Sequence, residues 1–114
     1  MAISFGAIGE EYVSFTAGSG AAAGKVCVVT ADKTVGTASE NDAFCGVVRE
    51  VRDGVAGVQM HGYVELPYSG TSAPALGYAS LVADKTGGVC TSMAGRSYLV
   101  VHVDSTNKIV GLFL

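Results

Sequence analysis

Apolar and polar side chains alternate along much of this chain, in short runs separated by polar or glycine-containing segments. The clearest run, residues 58–66, alternates with a period of two, which is typical of a strand buried on one face and exposed on the other. Pro67 follows, and because proline has no N–H for a sheet hydrogen bond, we expect the strand to end there. The predicted buried face consists of Val58, Met60, Val64 and Leu66.

Other runs of the same character are bounded by clusters of Gly, Asp, Asn or Ser, which are turn-forming residues. The dipeptide Asp53-Gly54 separates two runs and predicts a hairpin, because glycine readily takes the positive φ of a tight turn. Residues 104–107 predict a second turn. The further predicted strands are 25–30, 43–51, 78–82, 98–104 and 108–114.

The composition supports strands over helices. The chain has 17 valines and 8 threonines against 6 leucines, and β-branched side chains pack well on a pleated surface. The one run of good helix formers, residues 21–23, lies between Gly20 and Gly24, which disfavour its extension. We therefore predict an all-β fold: a single compact β-barrel or β-sandwich of about six to nine short strands, with little helix.

A partial internal repeat predicts two similar halves. The tetrapeptide Ala-Asp-Lys-Thr occurs at residues 31–34 and again at 83–86, each time after an apolar run that follows a glycine. Each copy is followed later by an apolar strand with a central glycine, at 44–48 and at 109–113. Two copies are too few for a solenoid, so the two halves are expected to pack on one core.

The length and the charge of the chain indicate how many domains it forms and which ligands are disfavoured. With 114 residues, the chain is expected to form a single β domain over 1–114, with the glycine-rich residues 1–20 as a candidate N-terminal arm that orders on contact with a partner. Only 15% of the residues are charged and the net charge is −3, which disfavours nucleic-acid binding. The apolar runs are too short to span a membrane, and no signal-peptide pattern opens the sequence, so cytoplasmic synthesis is expected.

The cysteines predict no metal or redox site. Cys27, Cys45 and Cys90 are odd in number and widely spaced, and none belongs to a C-x-x-C pair. Each lies among apolar residues, where a free cysteine usually acts as a small buried hydrophobic side chain.

Two further motifs resemble functional sites without meeting their requirements. Residues 18–25 resemble a phosphate-binding loop, but Ser19 replaces the first glycine and Val26 replaces the residue that would bind magnesium. His61 with Glu65, and His102 with Asp104, form carboxylate-supported pairs on predicted strands, but no nucleophile or third ligand accompanies them. We therefore predict no catalytic, cofactor-binding or metal-binding residues and no enzyme activity.

The order of several short segments resembles the bacteriophage capsid decoration proteins, also called cement proteins. In that family a strand with a glycine followed by Val or Leu recurs in each half, and a Gly-x-Val-x-Leu-Pro segment lies between the halves. The resemblance covers about residues 12–114, and none of its motifs is catalytic. The corresponding segments here are 23–29, 44–48, 62–67, the strand that begins at Gly77, and 109–112.

This resemblance implies a non-enzymatic structural protein that binds the outer surface of the assembled capsid and stabilises it, commonly as a homotrimer. The implied partner is the major capsid protein, and the implied location is the virion surface after synthesis in the host cytoplasm. No cofactor, small-molecule substrate, nucleic acid or membrane is expected. Tyrosine is enriched where proteins meet. The candidate interface residues are Tyr63, Tyr68, Glu10 and Glu11.

Two other functions remain open from the sequence. The first is a small carbohydrate- or surface-binding β module, in which tyrosines stack on sugars, although the chain has no tryptophan. The second, less expected, is a small β-barrel enzyme that uses His61, His102 and a carboxylate. The tyrosines of the first alternative are Tyr12, Tyr63, Tyr68, Tyr78 and Tyr98.

Overall fold

A computed structural model describes residues 9–114 of the protein, which form ten β-strands and no helix. The all-β prediction is therefore confirmed, whereas the expected six to nine strands are too few. The strands are β1 (Glu11–Ala17), β2 (Val26–Ala31), β3 (Thr34–Thr37), β4 (Gly46–Arg52), β5 (Val55–His61), β6 (Tyr63–Pro67), β7 (Gly77–Ala83), β8 (Val89–Thr91), β9 (Arg96–Asp104) and β10 (Ile109–Phe113).

The first five strands form a closed barrel with the order β1-β3-β2-β4-β5. Strand β1 closes it by pairing antiparallel with β5 and parallel with β3. The predicted N-terminal arm over 1–20 does not hold for residues 11–17, because these residues form β1 and pair on both sides. Residues 1–8 of that prediction lie outside the described residues.

The last five strands form a second sheet with the order β6-β10-β9-β7-β8. Its two end strands approach each other at a single parallel bridge between Tyr68 and Val89. The second sheet is therefore almost closed in the same way as the first barrel.

The two halves share one topology. If β1 to β5 are matched in order with β6 to β10, the strand orders of the two sheets become identical. The pairing of Ala17 with Val35 in the first half then corresponds to the bridge between Tyr68 and Val89 in the second. The β4–β5 and β9–β10 hairpins also match in register, and each has one extra residue, Arg49 or Val101, in a bulge. The predicted similarity of the two halves is thus present in the fold.

The sequence repeat marks this duplication only in part. Both Ala-Asp-Lys-Thr segments begin at the end of a corresponding strand, β2 or β7, and run into the turn that follows. The apolar segments 44–48 and 109–113 do not correspond, because the first leads into β4 and the second is β10, the equivalent of β5.

The run 58–66 is two strands, not one. Gly62 has a φ of +98° and separates β5 from β6, which belong to different sheets. A β-carbon at Gly62 would lie 2.8 Å from the Glu10 Cγ, so glycine is also required by the close approach of the residues before β1. The alternation continues through the break because both strands have one face toward a core. The link between the halves therefore lies within residues 58–66, the run that most clearly predicted a single strand.

Turns at 53–54 and 104–107 are confirmed. Asp53 and Gly54 both have positive φ and join β4 to β5, as in a tight hairpin turn. In the second turn, the Asp104 carboxylate accepts hydrogen bonds from the backbone N–H groups of Thr106 and Asn107, at 3.0 and 3.1 Å.

Two apolar clusters form the interior. The smaller cluster lies in the first barrel and comprises Cys27, Val35, Val48, Ala56 and Val58, with partly buried neighbours. The larger cluster contains the inward side chains of the second sheet together with first-half residues. Because residues of both halves belong to this cluster, the two halves pack against each other through apolar side chains. The first-half members are Val26, Ala38, Phe44 and Val47.

Candidate interaction surface

A cross-strand row of apolar side chains runs over the outer face of the second sheet. Tyr78 pairs with Leu99, Leu99 pairs with Phe113, and Phe113 pairs with Tyr63, across strands β7, β9, β10 and β6. Directly paired residues have their side chains on the same face of a sheet. We call these four residues the second row. Tyr78 is 78% exposed and the other three are half-buried.

The first barrel has an equivalent row. Tyr12 pairs with Gln59, Gln59 with Val47, and Val47 with Val26, on strands β1, β5, β4 and β2. We call these residues the first row. Gln59 and Val47 have no exposed surface and Val26 is 1% exposed, so three of its four members are buried. At the β2 or β7 end of the rows, the equivalent positions therefore differ most: Val26 is buried and Tyr78 is exposed.

The second half covers the first row through several contacts. Val26 and Val47 belong to the larger core cluster, beside the inward side chains of the second sheet. The Val26 N–H donates a hydrogen bond to the Gly87 carbonyl at 3.0 Å. Gln59 is covered at the link between the halves, where its Nε2 donates to the carbonyls of His61 and Tyr63. The first row is thus the part of the first barrel to which the second half is attached.

The segment before β4 completes this attachment. The Phe44 ring stacks on Tyr98, with ring centres 5.0 Å apart, and the Tyr98 hydroxyl donates to the Phe44 carbonyl at 3.3 Å. Backbone hydrogen bonds join Asn41 and Asp42 to Ala83, in opposite directions. Burial is the main cause that raises the pKa of Tyr98. This segment therefore fixes the second half on the first.

The second row has the properties of a protein-contacting surface. Tyr63 and Phe113 meet edge to face, with ring centres 5.5 Å apart. A shallow cavity of about 260 Å³ opens beside Tyr78 and is lined in part by Arg96, whose guanidinium lies 5.1 Å from the centre of the Tyr98 ring. Aromatic residues and arginine are enriched in protein interfaces.

Tyr63 is held in place at one end of the second row. Its hydroxyl donates a hydrogen bond to the Glu65 carboxylate at 2.8 Å. Burial, and then this hydrogen bond, raise the pKa of Tyr63 to about 12. The hydroxyl lies over Gly111, where any β-carbon would overlap it. Glycine at this position therefore lets the tyrosine ring lie flat across the sheet.

Three of the four candidate interface residues come together, and one does not. Glu11 pairs with His61, and Glu10 lies against Gly62, so both residues are near the link between the halves, where Tyr63 begins β6. The Glu10 carboxylate accepts a hydrogen bond from the Tyr12 hydroxyl. Tyr68 is buried in the larger core cluster and is only 5% exposed. The structure therefore places Tyr68 apart from the other three candidates, because its ring fills the interior of the second half.

Tyr78, Leu99 and Phe113 were not singled out as interface residues from the sequence. They are 14 or more positions apart along the chain, and only the register of β7, β9 and β10 places them side by side. Tyr78 alone carried a signal, as a tyrosine just after a glycine at the start of a predicted strand.

The histidine–carboxylate pair of His61 and Glu65 is divided between the two sheets. Within residues 9–114, no three His, Cys, Asp or Glu side chains are grouped so that they could bind a metal ion. His61 ends β5 whereas Glu65 lies in β6 of the other sheet, and the Glu65 carboxylate accepts the Tyr63 hydroxyl. The part of the chain that the structure describes also contains no helix long and apolar enough to cross a membrane.

Comparison with known proteins assigns no relative. No protein-family model and no curated protein sequence matches this chain. Its function must therefore be argued from its own residues.

Proposed function

We propose that the protein is a non-enzymatic bacteriophage capsid decoration protein, and that the second row binds the outer surface of the major capsid protein. One observation supports this most directly: Tyr78 in the second row is 78% exposed, whereas the equivalent Val26 is 1% exposed and is covered by the second half. A sheet surface with these side chains is suited to contact with another apolar protein surface.

The segment order that resembles decoration proteins supplies the class of partner. Such a protein gains affinity by binding at several sites at once, so each contact can be modest. Tyr78, at 78% exposure, has ample surface to bury on docking. Glu10 and Glu11, near His61 and Gly62 at the link between the halves, would supply negative charge at the edge of the docking surface.

A homotrimer fits this proposal because a second set of apolar side chains is exposed on the first barrel. These side chains are distinct from the second row and provide a surface for contacts between subunits. They are Tyr12, Val13, Val29, Val51 and Val55, each at least 40% exposed.

The proposal is tested by sedimenting the purified protein with empty capsids assembled from the major capsid protein encoded in the same genome. We expect the wild-type protein to sediment with the capsids and Tyr78→Lys to bind at least tenfold more weakly, because a lysine would be desolvated against an apolar partner. Met93→Lys is the matched control, since Met93 is fully exposed outside the second row.

The outcomes separate the function from the surface. If the wild-type protein does not sediment with the capsids, the decoration function is wrong. If Tyr78→Lys binds as well as Met93→Lys, the function stands but the second row is not the docking surface.

A carbohydrate-binding module is the second candidate, and the cavity beside Tyr78 favours it. An exposed ring next to Arg96 and Ser97 combines a stacking platform with hydrogen-bond donors. Tyr78→Leu distinguishes the two functions, because leucine retains apolar contact with a capsid but cannot stack on a sugar as an aromatic ring does. The carbohydrate module is favoured if the wild-type protein binds glycans on an array, Tyr78→Leu loses this binding, and the wild-type protein does not bind capsids.

A further inference from the structure

Two of the three cysteines meet at the junction of β2 and β4. The Sγ atoms of Cys27 and Cys45 are 3.9 Å apart, although the residues are 18 positions apart in the chain. Their backbones are already joined, because the Cys45 N–H donates to the Cys27 carbonyl at 2.9 Å and Cys27 pairs with Gly46. Both are free thiols. The widely spaced cysteines of the sequence therefore include one close pair.

The two thiols have different surroundings. Cys27 is fully buried in the first barrel, and its Sγ also lies 3.6 Å from the Gly46 carbonyl, which can accept its proton. Cys45 is half-buried and is therefore the thiol that a reagent in solution can reach. The hydrogen bond from the Cys27 thiol is the main cause that lowers the pKa of Cys45, and the same contact raises the pKa of Cys27.

We propose that Cys27 and Cys45 form a redox-sensitive pair, which a small-molecule disulfide such as oxidised glutathione converts to an intramolecular disulfide. The sulfurs must move from 3.9 Å to the bonding distance of about 2.05 Å. Hydrogen bonds already hold the two backbones next to each other, so the approach that remains is between the side chains.

The reaction proceeds in two balanced steps. The Cys45 thiol loses its proton to solvent, and the thiolate attacks one sulfur of oxidised glutathione, so that the glutathione disulfide breaks and one glutathione leaves as a thiolate that takes up a proton. The Cys27 sulfur then attacks the Cys45 sulfur and gives up its proton, and the second glutathione leaves and is protonated. The protein loses two electrons and two hydrogens, which reduce oxidised glutathione to two molecules of glutathione.

The disulfide would restrain the segment before β4, which attaches the second half to the first. The closed loop contains β3 and the residues up to Phe44, which stacks on Tyr98 in the second half. A cross-link restricts this loop in the unfolded chain and stabilises the fold. Oxidation is therefore expected to raise Tm by roughly 5–15 °C.

The test is to incubate the folded full-length protein with oxidised glutathione, alkylate the remaining thiols and map the peptides without reduction. We expect loss of two hydrogens, one cross-link between Cys27 and Cys45, and alkylated Cys90. Cys90 lies in β8, lines a different surface cavity of about 330 Å³, and serves as the internal control for an accessible thiol. Full alkylation of all three cysteines, or a cross-link that includes Cys90, would overturn the proposal.

Variants test the order of the steps. In Cys27→Ala, we expect Cys45 to retain one glutathione, because the second thiol is missing. In Cys45→Ser, we expect neither a cross-link nor glutathione on Cys27, which is buried. Cys90→Ser should form the cross-link as the wild type does. Glutathione on Cys27 in Cys45→Ser would show that the buried thiol reacts first and would overturn the assigned roles. If Cys27→Ala does not fold, the other two variants still decide the question.

Discussion

The two halves of the protein have the same strand order but different surroundings. The first barrel has three of the four members of its first row buried, and its own interior is small, with Cys27, Ala56 and three valines as its fully buried members. The second half has a larger interior, which takes in Val26 and Val47 from the first. Its own equivalent row faces outward. A duplicated fold thus places equivalent residues in different surroundings: Val26 is covered by the second half, whereas Tyr78 is 78% exposed.

The largest expected difference in stability between the two halves is at one pair of equivalent positions. Val26 is 1% exposed and Tyr78 is 78% exposed, and both lie at the β2 or β7 end of their rows. We expect Val26→Lys to lower the free energy of unfolding by about 4 kcal/mol or more, because an unpaired ammonium is buried between the halves. Tyr78→Lys is expected to change it by less than about 0.5 kcal/mol. Urea unfolding measures both, and equal losses would show that the rows are not differently buried.

The aspartates of the two Ala-Asp-Lys-Thr segments, Asp32 and Asp84, are a second pair of equivalent residues. The buried Asp84 carboxylate accepts hydrogen bonds from Ser69 Oγ, from Thr86 N and Oγ1, and from the Gly88 N–H, all at 2.8–2.9 Å. The corresponding Asp32 is exposed. We expect Asp84→Ala to lower the free energy of unfolding by about 2–3 kcal/mol and Asp32→Ala by less than about 0.5 kcal/mol. Similar losses for the two variants would contradict the different roles of the two turns.

Acid should remove the stabilisation that the Asp84 carboxylate provides. Burial raises the pKa of Asp84, but the hydrogen bonds from Thr86, Ser69 and Gly88 outweigh it and hold the pKa below its usual value. A carboxyl whose pKa is lowered on folding stabilises the fold above its unfolded pKa of about 4, and this contribution is lost as the pH falls through the folded pKa. Tm measured from neutral to acidic pH should therefore fall more for the wild type than for Asp84→Ala. Identical pH profiles would show that Asp84 is not the group responsible.

Two equivalent glycines provide the smallest expected effect. Gly57 in β5 and Gly111 in β10 occupy the same register position. A β-carbon at Gly111 would overlap the Tyr63 hydroxyl, whereas at Gly57 the nearest atom, the Glu50 carbonyl oxygen, is 3.9 Å away. We expect Gly111→Ala to lower the free energy of unfolding by about 1 kcal/mol, because Tyr63 must turn away from Phe113. Gly57→Ala should be neutral or slightly stabilising, because alanine reduces the freedom of the unfolded chain. Thermal unfolding of both variants tests this, and a greater loss at Gly57 would contradict it.

The local pattern of apolar and polar residues was sufficient to predict most strands, but it did not show which strands pair with each other. The runs that became β2, β4, β7, β9 and β10 were visible because alternating or continuous apolar residues ended at turn-forming residues. Strands β3 and β8 were missed because they have only four and three residues, too few to show a period. Strand β1 was predicted as part of an arm because the residues on either side of it are rich in glycine. In the structure, none of its side chains is fully buried.

The candidate surface was only partly visible in the sequence. Tyr63 was recognised because it lies on the polar face of an alternating run. Tyr68 follows the same proline, but the parallel bridge to Val89 turns it inward among core residues. Alternation shows that a strand has two faces, but which face is covered depends on what packs against it.

The sequence by itself determined that the protein is all-β, that its turns lie at 53–54 and 104–107, and that it contains two related halves. These features follow from local causes: β-branched side chains, residues that favour positive φ, and repeated turn chemistry. Only the tertiary structure decided that Val26 is buried while the equivalent Tyr78 is exposed, and that Cys27 and Cys45 are neighbours. Both depend on strand register between residues far apart in the chain, and the chain can form those contacts only when both halves have folded and packed together.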